Sequence, residues 1–528
     1  MKKEEFYEVL GDIDERMVSE ADKPVRKKHF RWQYVAAAAA CLVVCVGAGA
    51  ALNNAYRKKL PSPTLTVESE PDGTTQSKPA DGSESVTTQT TEETKTGVID
   101  SPAAANKYKI LAEAVYPEMP AYPEEPMGGS EADWELFNQK SDEWWNANWA
   151  LRDQPEGYDK GIDSFFKTSV NAYLTEQNGE NKVYSPLSLY MALGMTAEVS
   201  DGNTRKQILD VLGQDSIEEM RSHAKSVWQS SYKNDGMATS VIANSLWAND
   251  KFHCKQSTAD SLADNYYASA FSGDPASEEY NELFRDWLNK QTDDLLTDYT
   301  RDMKMDPASV LTLASTLNYA GKWQNPFFAK QTEKGTFHAA SGDKPCDFMV
   351  NGDTTGYYWG DKFGAISLPL TNNGSMRLIL PDEGVSPEEL FRDEEALTYM
   401  TWDGFGEYEK SKYAMVTMTV PKFDISSSID LIDGLMDMGI TDAFDSTVSD
   451  FTPITDEVKE IVLSKAEQDA RVMIDEEGCR AAAMTVMMMA GAGAPQETVD
   501  FVVDRPFVFE IVGDNGLPLF VGVVNDPS

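Results

Sequence analysis

The pattern of hydrophobic and polar positions divides the chain into an N-terminal part and a large C-terminal part. Val35 to Leu52 is a run of eighteen residues without a charge, and a long polar stretch follows it. After residue 158, helical and strand periodicities mix without regular alternation. This mixture excludes a solenoid and disfavours a doubly wound sheet, so we expect an α+β domain over residues 158–528.

The apolar run predicts a transmembrane signal anchor at residues 34–53, because eighteen uncharged residues come close to the length that crosses a bilayer. Five basic residues flank the run upstream, within residues 23–31, and three flank it downstream, within residues 57–59, which places residues 1–33 in the cytoplasm. We therefore expect a single-pass cell-membrane protein, typical of a bacterial surface, with its C-terminal domain extracellular. Secretion after signal cleavage is the alternative, since residues 48–50 (Ala-Gly-Ala) suit a peptidase.

Two segments separate the apolar run from the main domain. Residues 54–107 are rich in Ser, Thr, Pro and Glu, a composition that buries too little apolar area to fold and predicts a disordered stalk. Residues 108–157 are rich in aromatic and acidic residues. We expect this aromatic, acidic segment to be a lead-in that packs on the main domain.

Charge and composition exclude several functions. With 87 acidic and 46 basic residues, the formal charge of −41 makes a nucleic-acid partner unexpected. The four histidines have no metal-ligand spacing, and no nucleophile elbow, Walker loop or Cys-x-x-Cys pair occurs. We expect a monomer with no metal and no cofactor, and not an enzyme.

Ordered motifs in the main domain carry a family resemblance. The first is VYSPLSLYMALGMTAEVSDGNTRKQILDVLG, from Val183 to Gly213, and LNYAGKWQNPF follows at Leu317. Next come VTMTVPKFDISSSIDLIDGLMDMGITDAF, IDEEGCRAAAMT and the closing DRPFVFEIV. From roughly Gly161 to the C-terminus, the chain resembles the serpin family of serine protease inhibitors. The resemblance implies three β-sheets, about nine helices and an exposed reactive-centre loop.

The resemblance also implies a suicide-substrate mechanism. A protease serine attacks a loop peptide bond and forms an acyl-enzyme, and the cut loop then inserts as a strand into the main sheet. The hinge of this loop would consist of Glu476, Glu477, Gly478, Cys479, Arg480, Ala481, Ala482, Ala483, Met484 and Thr485.

The loop sequence suits insertion into a sheet. No proline occurs from Gly478 through Gly493, so every amide is available to a ladder, and Gly478 offers a flexible pivot. Because side chains alternate along a strand, one face would carry small or uncharged residues and the other face the charge of Arg480. The first face would consist of Cys479, Ala481, Ala483, Thr485, Met487 and Met489.

This pattern favours an inhibitor over two alternatives. One is a non-inhibitory serpin-fold binding protein whose loop is cut as a simple substrate. The other is a membrane-anchored sensor in which residues 1–33 bind a regulator.

The resemblance places the reactive bond sixteen residues past Glu476, between Ala492 and Gly493. A small apolar residue before the cut fits the shallow specificity pocket of an elastase-like or subtilisin-like serine protease. Met489 or Ala490 would be the cut site in a shifted register, and the specificity-determining neighbours would be Met489, Ala490, Gly491 and Ala494.

The resemblance further implies a hydrogen-bonded group where the sheet opens, formed in the family by two serines, an asparagine and a histidine. Ser185 and Ser188 match the serines, Ser315 stands where the asparagine is expected, and Ser464 is aligned with the histidine. Pro186 and Trp323 belong to the same region. We expect the paired change to two hydroxyls to alter the rate of sheet opening more than the fold.

Overall fold

The computed structural model describes residues 38–45, 108–126, 128–176, 179–371, 373–404, 406–479 and 497–528. The predicted cytoplasmic segment, stalk and reactive bond lie outside these residues.

Eleven α-helices occur in the described part of the chain, compared with about nine expected. They are α1 (Glu131–Arg152), α2 (Ile162–Leu174), α3 (Pro186–Val199), α4 (Gly202–Leu212), α5 (Ile217–Ser231), α6 (Gln256–Tyr266), α7 (Glu278–Gln291), α8 (Thr297–Thr300), α9 (Pro387–Leu390), α10 (Glu394–Met400) and α11 (Ile432–Asp437). Short 3-10 turns occur at Ala329–Gln331 and Asp442–Phe444.

The strands, numbered in chain order, alternate with the helices irregularly. The first nine are β1 (Ala38–Cys45), β2 (Tyr108–Ala112), β3 (Lys182–Tyr184), β4 (Lys233–Asn234), β5 (Thr239–Asn249), β6 (Ala268–Gly273), β7 (Leu311–Lys322), β8 (Glu333–Ala339) and β9 (Gly342–Trp359). The others are β10 (Phe363–Pro369), β11 (Ser375–Pro381), β12 (Ser411–Pro421), β13 (Phe423–Asp430), β14 (Lys465–Ile474), β15 (Gly478–Cys479), β16 (Thr498–Val502), β17 (Phe507–Val512) and β18 (Pro518–Val524).

These strands form two hydrogen-bonded networks of nine strands each. Sheet 1 has the order β13-β14-β1-β7-β5-β6-β2, with β15 on β7 and β4 on β5. Sheet 2 has the order β16-β12-β9-β10-β11-β17-β18-β3, with β8 on β9. The 18-residue strand β9 joins the β8, β12 and β16 side to the β10–β11–β17–β18–β3 side. With these two sides of sheet 2 counted separately, the three expected sheets are present.

Helix α3 lies at the centre of the core. Pro186 occupies its first turn, where backbone N–H groups have no acceptor within the helix, so its missing N–H costs no hydrogen bond. The Ser185 side chain caps the helix. Every residue of α3 is buried, consistent with its nearly continuous apolar sequence. The helix therefore places Ser185 and Ser188 inside the domain, where the two sheets meet it.

The N-terminal apolar run differs from its prediction. Residues 34–53 were expected to form a membrane-spanning helix, but Ala38–Cys45 is strand β1, paired antiparallel with both β7 and β14. A short apolar run fits a buried strand as well as a helix by periodicity alone, and here two neighbouring strands supply its backbone partners. No helix in the described ranges is both long and apolar enough to cross a membrane.

The aromatic, acidic segment contacts the rest of the domain at several points. Strand β2 pairs antiparallel with β6 at the edge of sheet 1. In α1, the buried Trp144 donates its indole N–H to Asp235 Oδ2 at 2.9 Å, and Tyr116 packs on Trp228 with ring centroids 5.0 Å apart. This segment adds a strand to sheet 1 and covers α5 with aromatic rings.

Candidate functional site

The hinge begins as a tight turn at the end of β14. Asp475 and Gly478 exchange two backbone hydrogen bonds, each 3.4 Å long, around Glu476 and Glu477. Gly478 has a φ of 130°, in the region that favours glycine. A Cβ there would lie 2.7 Å from backbone atoms of Gly321, Lys322 and Trp323. Glycine is therefore required both by the backbone conformation and by the close approach of β7.

After the turn, the chain runs along β7. Gly478 pairs with Lys322 and Cys479 with Gly321, in antiparallel register. The hinge therefore leaves β14 and immediately joins β7, the strand on the other side of β1. The chain enters sheet 1 at the position between β14 and β7.

Trp323 holds the turn in place. Its indole N–H donates to Asp475 O at 2.9 Å, and its backbone N–H donates to Glu477 O at 3.1 Å. Phe327 N–H donates to Glu476 O at 3.0 Å, and its ring meets the ring of Trp323 edge-on. These bonds satisfy three carbonyls of the turn, so Trp323 and Phe327 fix its position beside β7.

Glu476 anchors the turn through its carboxylate. Thr332 Oγ1 donates to one carboxylate oxygen at 2.6 Å, and Lys422 Nζ donates to the other at 2.7 Å. Burial alone would raise the pKa of Glu476, but the bonds from Lys422 and Thr332 outweigh it and hold the pKa below its usual value. The ionised carboxylate therefore ties the turn to the junction of β12 and β13 and to the segment before β8. Glu477, by contrast, is exposed.

Ser185 and Ser188 lie together in the core. The Ser185 hydroxyl donates to Leu519 O at 2.8 Å and accepts from Ser188 N at 3.3 Å. The two hydroxyl oxygens lie 3.1 Å apart, and both residues are fully buried.

The predicted partner Ser464 is wrong for this group. It is exposed and precedes β14, whereas Gln468 is fully buried within β14. Gln468 accepts from Ser185 N at 2.7 Å and donates to Ser185 O at 3.0 Å. Strand alternation was the available signal, because Gln468 shares a face with Ala466, Ala470 and Val472, where a polar side chain needs a partner.

Ser315 lies in the middle of β7 and is fully buried. Its hydroxyl has no hydrogen-bond partner within the described part of the chain, and neither has Oδ1 of Asn244 on the paired position of β5. The expected link from Ser315 to the two serines is therefore not formed. An unpartnered hydroxyl leaves this position of β7 without the cross-connection that Gln468 makes from β14.

The remaining predicted loop residues lie outside the described chain. These residues are Arg480, Ala481, Ala482, Ala483, Met484, Thr485, Met489, Ala490, Gly491, Ala492, Gly493 and Ala494. The described chain resumes before β16, which pairs parallel with β12 in sheet 2. Among the residues with described side chains, no group of three or more His, Cys, Asp and Glu could hold a metal ion.

Comparisons with known proteins agree with this geometry. A family model described as "Serpin (serine protease inhibitor)" matches residues 163–527. Serpin-Z10 of Arabidopsis thaliana is 28% identical over 69% of this chain and 97% of its own length. Alpha-1-antiproteinase S of Cavia porcellus is 28% identical over 69% of this chain and 89% of its own length.

Solved structures share the fold. Tengpin, a thermophilic serpin in its native state, has a TM-score of 0.60 at 23% identity, covering 69% of this chain and 93% of its own. Thyroxine-binding globulin in complex with thyroxine has a TM-score of 0.58 at 21% identity, covering 70% of this chain and 98% of its own. At these identities the likeness concerns the fold alone.

Proposed function

This chain belongs to the serpin family, and from that premise we propose that it inhibits serine proteases by suicide-substrate trapping. A protease acylated at the reactive bond would be carried along as the cut loop becomes a strand of sheet 1. Such a protein is an inhibitor and not a catalyst, because each molecule is consumed in one encounter.

The pairing of Gly478 and Cys479 with β7 is the observation that carries this proposal. Insertion extends an existing ladder, since the hinge already makes its first two pairs with β7 and reverses direction through the Asp475–Gly478 turn. A loop whose hinge lay away from the sheet would first have to form these pairs. Here the hinge is already in place at the edge of β7.

The loop sequence supports the same mechanism. From Gly478 through Gly493 no proline interrupts the supply of backbone donors, and the only charge is Arg480. The small residues around Ala492 and Gly493 favour elastase-like or subtilisin-like proteases, whose pockets accept small apolar side chains.

Mixing the full chain with an elastase-like protease tests the proposal on a denaturing gel. Trapping predicts a covalent band near the summed masses of the two proteins, and cleavage without that band would reject it. Mass spectrometry of the released C-terminal peptide locates the cut, which we expect at Ala492–Gly493. A peptide beginning after Arg480 would contradict the proposed protease class.

Two arginine substitutions on opposite strand faces provide a matched pair. Ala483→Arg puts a charge on the face that must be buried and should convert the inhibitor into a substrate. Ala482→Arg puts the same charge on the face that already carries Arg480 and should keep the covalent band. Equal behaviour of the two variants would contradict insertion in the proposed register.

We also propose that residues 34–53 tether the protein to a cell membrane when they are not paired with sheet 1, with the serpin domain outside. The uncharged run and its basic flank support this localisation. Protease accessibility of the domain on intact cells tests it, and release of the domain without detergent would indicate secretion instead.

A non-inhibitory binding protein is the second candidate. The solved structure of thyroxine-binding globulin with thyroxine shows that this fold also occurs in a protein with a small ligand. In that case the loop would be cut without a covalent complex, which is the negative outcome of the gel experiment.

A further inference from the structure

The position that an inserted loop would take in sheet 1 is already filled by the chain's own N-terminal segment. Strand β1 lies between β7 and β14 and pairs with both along its length. Its pairs with β7 run from Ala38 opposite Tyr319 to Cys45 opposite Thr312. Along β14 they run from Ala39 opposite Arg471 to Cys45 opposite Lys465.

The hinge specifies which loop residues would occupy these positions. Continuing the β7 ladder from Cys479 opposite Gly321, one residue at a time, brings Ala481 opposite Tyr319. This is the residue that faces Ala38. By the β7 ladder, β1 therefore stands where Ala481–Met488 would stand.

The pairing along β14 matches the loop residues to the same residues of β1. Continuing its ladder from the Asp475–Gly478 bridge brings Ala482 opposite Arg471, the residue that faces Ala39. Two neighbouring strands thus agree on one register. A strand that pairs continuously with both neighbours has this one register, so the correspondence between β1 and the loop is unambiguous.

The two sequences are also alike in this register. Strand β1 reads AAACLVVC and the loop reads AAAMTVMM, identical at the three alanines and at the valine that is Val43 in β1 and Val486 in the loop. Neither octet contains a charge or a proline. Both can therefore supply a full set of backbone donors and acceptors to a strand position flanked on both sides.

Resting on the proposed function, we propose that Ala38–Cys45 is an internal surrogate of the loop strand that competes with the loop for the gap between β7 and β14. One gap accepts one strand, because each N–H and C=O that β7 and β14 direct into it pairs once. While β1 is seated, a cut loop cannot insert and the protease is released by hydrolysis. Withdrawal of β1 makes the inhibitor competent for trapping.

A disulfide can lock β1 in the full chain. Cys45 faces Lys465, whose side chain is partly exposed and ion-paired with Glu467, so Lys465→Cys should be tolerated. Directly opposed residues of antiparallel strands have Cα atoms about 4.5–5.5 Å apart, a separation that a disulfide spans. The matched control is Glu467→Cys, which faces Val43 and carries the same extra thiol without a cysteine opposite.

The oxidised Lys465→Cys protein should contain, by mass spectrometry, a disulfide between Cys45 and the thiol introduced on β14. The yield of covalent protease complex should then fall about tenfold or more. Reduction should restore the yield, and Glu467→Cys should respond to neither treatment. Absence of the disulfide beyond the control level would overturn the seating of β1. An oxidised protein that traps as well as the reduced one would overturn the competition.

A labelled peptide with the sequence of residues 479–490 separates this inference from the proposed function. It should bind the reduced Lys465→Cys chain and fail to bind the oxidised chain, whether or not any protease is trapped. If no covalent complex forms under any condition while this difference in binding persists, trapping fails and the competition stands. Equal peptide binding to the two forms contradicts the competition.

Discussion

Gln468 on β14 makes two hydrogen bonds to the backbone of Ser185. Its amide accepts from Ser185 N at 2.7 Å and donates to Ser185 O at 3.0 Å, with both residues fully buried. The start of the central helix α3 is thereby joined to β14, the strand beside the gap. If β14 moves away from β7, it must either carry Ser185 with it or break these two hydrogen bonds.

Substituting Gln468 should destabilise the protein. Gln468→Leu keeps most of the volume but leaves the N–H and C=O of Ser185 buried and unpaired, which predicts a loss of about 1–3 kcal/mol in the free energy of unfolding. Denaturant titration measures this loss. Ser464→Ala is the control and should change little, because Ser464 is exposed. A larger effect at residue 464 than at residue 468 would restore the original assignment.

Gly478→Ala should disturb the hinge more than the same change at another glycine with positive φ. At Gly478 the added Cβ meets backbone atoms of β7 at 2.7 Å, and the φ of 130° is unfavourable for alanine. Gly342 has a φ of 115° but open space around a Cβ. We expect a loss of about 1–3 kcal/mol from backbone strain at each site, with the further clash confined to Gly478→Ala. Equal melting temperatures for the two variants would contradict this difference.

The Glu476 anchor predicts a pH dependence of stability. Its folded pKa lies below the ordinary value of 4.5, so the ionised carboxylate stabilises the fold above about that pH. This contribution is lost as the pH falls through the lower, folded value. Glu476→Gln should therefore lower the free energy of unfolding by about 1 kcal/mol at neutral pH and by progressively less in acid.

Unfolding measured at several pH values with Glu477→Gln as the control checks the assignment. Glu477 is exposed, and its substitution should change the free energy of unfolding little. A deficit in Glu476→Gln that grows as the pH falls would contradict the sign.

Ser315→Ala should be neutral or stabilising. The Ser315 hydroxyl is buried without a partner in the described chain, so its removal is expected to add up to about 1 kcal/mol to the free energy of unfolding. Ser188→Ala is the comparison, since Ser188 Oγ lies within hydrogen-bonding distance of Ser185 Oγ and its loss should destabilise. Destabilisation by Ser315→Ala would mean that its hydroxyl does contribute a bond to the opening region.

Several features of the chain are connected with patterns that are local in the sequence. Ser185 precedes Pro186 and an apolar run, a pattern typical of a helix start, and Ser185 caps α3. Gly478 was predicted as a pivot, and it takes a backbone conformation that other residues adopt rarely. Ordered motifs from about Gly161 onward indicated the family, and the matching range is 163–527. These features depend on residues close together in sequence, which is why pattern and resemblance suffice.

Two other features were decided only by the tertiary structure. The eight residues Ala38–Cys45 are equally apolar as a helix or as a strand, and strands β7 and β14, far away in sequence, supply the partners that make them a strand. The partner of Ser185 was predicted to be Ser464, but it is Gln468. Both are polar residues near the start of one strand, and the position of Ser185 against β14 distinguishes them. The amino-acid sequence by itself indicated the α+β class and the family. The occupant of the gap was decided by the tertiary structure, because β7 and β14 bring its backbone partners together from distant parts of the chain. Strand alternation marks Gln468 as a buried polar residue that needs a partner, and the tertiary structure decided that this partner is Ser185.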